Sequence, residues 1–218
     1  MKSTINKNSM LYWWPLVKDL GIPVPKTIFT NINETAVCAA ASILGYPAFL
    51  RTDLCSGKHD WQTSCYVKDS NENIQEHIDA VCLANVKWHM LGMYEQVMVV
   101  REFLTLDTAF TAFAGNMPIN KERRLFIENG KILCDHPYWP KTAFNRHPAR
   151  MAEPGYEAKL EKISKFDGSE WTIAQDYIPK LSHLEGRWSV DFAKGKNGLW
   201  YLIDMALADN SYHMPHGE

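Results

Sequence analysis

Paired cysteines are the first thing this sequence lacks. Its five, Cys38, Cys55, Cys65, Cys82 and Cys134, are scattered with no CxxC spacing. That excludes a disulfide framework or a zinc ribbon and predicts free thiols in a reducing compartment, here the cytoplasm. Long apolar runs are also missing. None approaches the ~18–20 residues of a membrane span, and the opening MKSTINKNSMLYWWPLVKD holds no continuous apolar stretch of the signal-peptide kind. No membrane partner is expected. Charge of one sign is absent too: the net charge is −2, which speaks against nucleic acid as the main partner while leaving room for a local basic site. There is no internal repeat, no HExxH or HxH, and no GxxxxGK[ST] phosphate loop. No Ser-His or Cys-His pair marks a nucleophile.

What is present is an ordinary globular composition, 46% hydrophobic and 22% charged over 218 residues, enough to bury a real core. Eight tryptophans imply flat apolar surfaces in a core or a ligand cleft. Residues 9–20 read as a helix stopped by Gly21, and Asn33 as the cap of a helix running to Leu44 with Gly45 as its stop. YPAFLR and QTSCYV read as strands, and Ser70 as the cap of a helix carrying Ile74, Ile78, Val81 and Cys82 on one face. QVMVVREFL is a strongly apolar strand, Gln96 to Leu104. After it the pattern is mostly strands, with hairpins turning on Asn129-Gly130 and near Asn197-Gly198 and one or two helices between about 157 and 184. The expected organisation is a short N-terminal helix (1–20), a first α+β lobe (21–97) and a second, mostly antiparallel lobe (98–218), with a ligand cleft where lobes meet.

The charged residues that interrupt apolar strands carry the chemistry. WSVDF places Asp191 in one strand and YLIDMA places Asp204 in its hairpin partner. Alternation groups Ser189, Asp191 and Ala193 on one face, and Leu202, Asp204 and Ala206 on one face. Two carboxylates on one sheet surface repel unless a cation sits between them, and Mg²⁺ suits carboxylate and phosphate oxygens together. Asp209 and Asn210 follow closely as further ligands. The alternative for either aspartate is a solvent-facing place at a strand edge. In INKERRLFIENG, Glu122, Arg124 and Phe126 share a face, and Arg123 and Leu125 share the other. Taken singly, such arginines are surface residues or partners in ion pairs, Glu122–Arg124 among them. Together, Arg51, Lys58, Arg124 and Arg187 with Asp191 and Asp204 describe a polyphosphate–Mg²⁺ site. The alternative for Lys58, in SGKHDW, is an exposed turn. His136, Tyr138 and Trp139 in CDHPYWP are candidates for an acceptor wall or for plain packing. His213 and His216 flank a proline and read as mobile.

The order of segments resembles the ATP-grasp superfamily. LVKDLGIPVPKT resembles its opening helix and turn, and GYPAFLRTDLCSGKHDW its strand and glycine-containing phosphate loop. VMVVREFL is similar to its hinge strand, PINKERRLFIENGKI to its E-x-R-x-F strand and hairpin, and RWSVDF with GLWYLIDMA to its two metal-bearing strands. The similarity runs from about residue 10 to 213. It implies an α+β fold in which two lobes with antiparallel sheets enclose a nucleotide cleft. It also implies ATP and Mg²⁺ as cofactors, and an ATP-dependent carboxylate–amine or carboxylate–thiol ligase working through an acyl phosphate.

Carried over, Arg51 and Lys58 contact phosphate, Arg101, Glu102, Phe103 and Leu104 form the adenine hinge, and Asp107 reaches the ribose. Arg124 touches phosphate or acceptor, and Asp191 and Asp204 hold the metal. For catalysis, Arg187 or Arg124 near the acyl phosphate is expected to stabilise the tetrahedral intermediate, with Lys58 of the phosphate loop as a further catalytic cation. Three departures stand out. Arg51 replaces the usual lysine, which exchanges a point charge for a fork. Ala206 stands where an asparagine is usual. Only the residues before Met10 precede the match, where the family usually carries a further domain, so the acceptor is expected to meet the ATP-binding lobes themselves or to be a peptide or protein. Other readings of the same residues are a nucleotide-binding module that does not ligate, a phosphotransferase, and a nucleotidyl-transferring nucleic-acid ligase using Lys58. For the last, KHDW resembles KxDG, but Trp61 stands where the glycine belongs.

Overall fold

A computed structural model of the chain describes residues 6–89, 97–115, 117–144 and 150–214. The chain divides into two compact units, one formed by the residues up to Tyr12 with Pro25–Leu104, the other by Trp13–Val24 with the residues from Thr105 onward. Among the described residues no helix is long and apolar enough to cross a membrane. The five cysteines are free thiols, as their scatter predicts.

Helix α1 (Met10–Val17) starts where Ser9 Oγ accepts the Leu11 N–H at 3.1 Å, and buries Met10, Trp13, Trp14 and Val17 at helical spacing. It ends at Val17, sooner than its apolar pattern suggests. The chain then turns through Gly21, whose φ of 67° suits glycine.

In the first unit the elements are β1 (Thr27–Thr30), α2 (Glu34–Leu44), β2 (Ala48–Thr52), β3 (Tyr66–Val67), α3 (Ile74–His89) and β4 (Met98–Glu102). Asn33 caps α2, its Oδ1 accepting the Ala36 N–H at 2.9 Å, and Gly45 closes the helix. The strands form an antiparallel sheet in the order β1-β4-β2-β3. Val37, Ala40 and Ala41 of α2 and Ile74, Ile78 and Val81 of α3 pack on one face, against Ala48, Leu50, Met98 and Val100.

Three expectations change here. Ser70 lies in a turn and α3 begins only at Ile74, because Asp69 Oδ1 takes the Asn71 N–H first. QTSCYV contributes only the short β3, because Thr63 and Ser64 fold back onto the Asp60 carbonyl. The unit runs through β4 to Leu104, past the boundary read at 97, because β4 pairs with both β1 and β2. Gln96, read as the first residue of that strand, lies outside the described residues.

The second unit holds the hairpin β5 (Thr108–Ala112)–β6 (Met117–Asn120) and a four-stranded antiparallel sheet. That sheet is built from β7 (Glu122–Glu128), β8 (Lys131–Pro137), β9 (Arg187–Lys194) and β10 (Trp200–Leu207), in the order β10-β9-β7-β8. Asn129 and Gly130 both have positive φ, 51° and 70°, which is the tight hairpin their pairing predicts. Helix α4 (Tyr156–Ser164) and the helical turns Ile173–Tyr177 and Ile178–Leu181 lie between β8 and β9. Leu125, Ile127, Trp188, Val190, Phe192, Leu202 and Met205 are buried, and Tyr177 stacks on Phe192 with centroids 6.0 Å apart.

One further expectation changes in β10. Leu202 pairs with Phe192, whereas Asp204 pairs with Asp191, so Ile203 is an extra residue in a β-bulge. Leu202 and Asp204 therefore face opposite sides. The bulge turns Leu202 into the apolar layer and leaves Asp204 and Ala206 on the face of Asp191 and Ser189.

Candidate active site

Residues directly opposite one another in neighbouring strands point to the same face. The register aligns Asp204 of β10 with Asp191 of β9, Asp191 with Arg124 of β7, and Arg124 with His136 of β8. Four side chains able to carry charge thus form one row across the whole sheet, on the face away from Leu125, Val190 and Phe192.

Within the row, Arg124 grips Asp191 with two parallel bonds, Nε to Oδ1 and Nη2 to Oδ2, both 2.7 Å. This is the fork-on-carboxylate geometry that only arginine makes. It supplants the Glu122–Arg124 pair considered from alternation. The guanidinium lies 4.7 Å from the centroid of the Tyr138 ring. Burial works hardest against its charge, but the Asp191 carboxylate, with Tyr138 and Asp204, outweighs burial and raises its pKa. His136 shows the reverse. Burial is the main cause that lowers its pKa, and the charges of Arg124 and Arg123 push the same way. Its Nδ1 lies 2.7 Å from the Pro137 carbonyl, an acceptor only, so Nδ1 carries the proton and Nε2 of the neutral ring is an acceptor.

The residues read from the sequence fall into three groups. Arg124, Asp191 and Asp204 are brought together. Asp209 and Asn210 are exposed in the turn that follows β10. Arg187 is exposed at the first position of β9, opposite Glu128, and Asp107 is exposed just before β5. Of the acceptor-wall candidates, His136 belongs to the row and the Tyr138 ring lies against its Arg124, while Trp139 packs among Phe113, Tyr138 and Phe144. Among the described residues no group of three or more His, Cys, Asp or Glu side chains is placed to hold a metal ion.

In the first unit, Arg51 and Arg101 are both buried, on the sheet face away from α2 and α3. Arg51 Nε donates to the Thr52 carbonyl at 3.0 Å, and Arg101 Nε to Thr27 Oγ1 at 3.3 Å. Lys58 opens a 3₁₀ turn after Gly57, whose φ is 60°. Burial pushes the neighbouring Cys65 thiol up to about 12, and both Lys58 and Arg51 act on it in the opposite sense. Phe103 packs on Tyr66 and Trp61, centroids 5.1 and 6.0 Å away. Glu102 is engaged twice with Lys26: its N–H donates to the Lys26 carbonyl, and its Oε1 accepts the Lys26 N–H at 2.8 Å.

No family model matches the sequence, and no curated protein matches it. Solved structures do. N5-carboxyaminoimidazole synthetase from Staphylococcus aureus complexed with ADP superposes with a TM-score of 0.54 at 15% identity, over 96% of this chain and 45% of that one. The ADP complex of an N5-carboxyaminoimidazole ribonucleotide synthetase gives 0.53 at 13% identity, over 96% and 45%. The chain has the ATP-grasp fold. It spans less than half the length of these synthetases. Cdc123 from Schizosaccharomyces pombe matches with a TM-score of 0.56 at 11% identity, over 92% of this chain and 83% of that one. At these identities the likeness is one of fold alone.

Signals for this row were partly present in the sequence. Both aspartates and Arg124 break apolar strands and could be picked out. His136 could be ranked no higher than Tyr138 or Trp139, because its place opposite Arg124 depends on the β7–β8 register.

Proposed function

We propose that this chain is an ATP-dependent ligase that joins a carboxylate to an amine or a thiol. The observation that carries this reading is the row Asp204–Asp191–Arg124 on one sheet face of an ATP-grasp fold. Two carboxylates side by side suit Mg²⁺, which takes one or two carboxylates and completes its shell with water and phosphate oxygens. Asp191 and Asp204 are the residues that would hold it, with Arg124 releasing one Asp191 oxygen. When bound, the ion would supply neutralisation of phosphate charge.

In the reaction, a carboxylate oxygen of the acid forms a bond to the γ-phosphorus of ATP as the bond to the bridging oxygen breaks, and ADP leaves. The amine or thiol then attacks the carbonyl carbon of the acyl phosphate, loses its proton, and phosphate departs. Such a transfer needs positioning and charge neutralisation rather than a protein nucleophile, in keeping with a row made of fixed charges. Arg124 is suited to the oxyanion that develops on attack. Arg187, on the same face of β9 as Asp191, is proposed as an acceptor-side cation.

From the resemblance, Arg51 and Lys58 are proposed to meet the phosphates and Asp107 the ribose. The adenine is assigned to the main chain at Phe103 and Leu104, because the Glu102 N–H already binds the Lys26 carbonyl.

A second reading is a nucleotide-binding module that does not ligate. It is favoured by the Arg124 grip on both Asp191 oxygens and by Ala206, which stands beside the row where the family usually has asparagine. Thermal unfolding with ATP, with and without Mg²⁺, tests what the two readings share. Ligand at ~100 times its dissociation constant adds ~2.7 kcal/mol to stability. A Mg²⁺-dependent rise is expected, and no shift at millimolar nucleotide would remove both readings. ADP release with pairs of acids and amines then separates them.

A further inference from the structure

The row is not bare. After β10 the chain crosses back over the polar face, and Ser211–Met214 lies along the end of the row that carries Arg124 and His136. Two contacts hold it there. Arg124 Nη1 donates to the Tyr212 carbonyl at 3.2 Å, and His136 Nε2 accepts the Met214 N–H at 3.4 Å. Between them the His213 ring packs on Phe126, centroids 4.6 Å apart, and 5.6 Å from His136. The Met214 side chain is buried.

Both of these hydrogen bonds go to main-chain groups, not to side chains. A C=O and the N–H two residues later are what every peptide presents, whatever its sequence. The donor and the acceptor that meet them come from directly opposite residues of β7 and β8. Their polarity is fixed: Arg124 can only donate, and His136 Nε2 is an acceptor because Nδ1 is committed to the Pro137 carbonyl. A small amine could satisfy His136 alone. A peptide supplies both from its main chain, as Tyr212 and Met214 do here.

We propose that Arg124 and His136 form a subsite for the main chain of a peptide acceptor, and that Tyr212–Met214 fills it as a built-in mimic which the acceptor displaces. This rests on the ligase reading only in calling the peptide an acceptor. The binding itself needs neither ATP nor Mg²⁺.

The test is fluorescence anisotropy of a labelled, N-acetylated and C-amidated Ser-Tyr-His-Met peptide, without nucleotide, against the full chain and two full-length variants. Met214→Pro removes the N–H that His136 accepts, so this variant should bind the peptide at least tenfold more tightly than the unaltered chain. Adding His136→Ala should abolish that gain. Should Met214→Pro fail to melt cooperatively, Met214→Ala, which loosens the same segment by removing its buried side chain, should show a smaller gain in the same direction. Equal binding by the unaltered chain and a folded variant would overturn the proposal, as would a gain that survives His136→Ala. Peptide binding in a chain that gives no thermal shift with ATP would support the subsite and remove the ligase. The opposite pair of results would remove the subsite alone.

Discussion

Arg124 and Asp191 face each other from adjacent strands and are joined by two 2.7 Å hydrogen bonds, and Asp204 lies directly opposite Asp191 on its other side. The guanidinium is thus paired with one of two neighbouring carboxylates. Arg124→Met should remove that cation from beside the two aspartates. Removing one partner of a buried pair typically costs about 3–5 kcal/mol, and the lowered melting temperature should be partly restored by millimolar MgCl₂ alone. A variant whose melting temperature is unmoved by Mg²⁺ would show that the two carboxylates do not form a cation site.

Asp204→Asn keeps the shape of the side chain and removes its charge. The Arg124–Asp191 bonds stay intact, so the loss of stability without ligand should be well below the ~3–5 kcal/mol expected for removing a partner of that pair. The Mg²⁺-dependent part of the ATP thermal shift should disappear. Simple unfolding would instead make Asp204 a structural residue.

Lys58→Ala tests the 53–65 loop. Lys58 is half-buried at the start of a 3₁₀ turn, and its loss should leave the melting temperature without ligand nearly unchanged. Turnover, read as ADP release, should fall by tenfold or more, the scale of losing one charge on a transferring phosphoryl group. Unaltered turnover would leave Lys58 without a part in phosphoryl transfer.

His136 makes stability depend on pH. Burial lowers its folded pKa below the unfolded value of about 6.5. The unfolded chain therefore binds more protons in the window between the two values. Stability from the neutral ring is fully present above about pH 6.5 and is lost as pH falls through the folded pKa. Denaturant midpoints measured between pH 5 and 8 should drop on the acid side, and the drop should be smaller in His136→Gln. Identical profiles would show that the ring is not held neutral by its surroundings.

Local signals determined much of this protein. Asn33 and Gly45 bound α2 because capping acts within a few residues. Asn129-Gly130 turns the β7–β8 hairpin because both positions need positive φ. Asp191, Asp204 and Arg124 could be picked out because a charge inside an apolar strand demands a partner.

What the residues could not state was which partner. That Asp204 faces Asp191 follows from the bulge at Ile203, and a bulge shifts register without a sequence signature of its own. That Arg124 chooses Asp191 over Glu122 is set by pairing with β9, distant in sequence, and that it has His136 on its other side by the register of the β7–β8 hairpin. His213, read as mobile, packs against Phe126, and its neighbours Tyr212 and Met214 are held through main-chain groups. Main-chain hydrogen bonds are available at every residue, so only the tertiary structure decides where they are made.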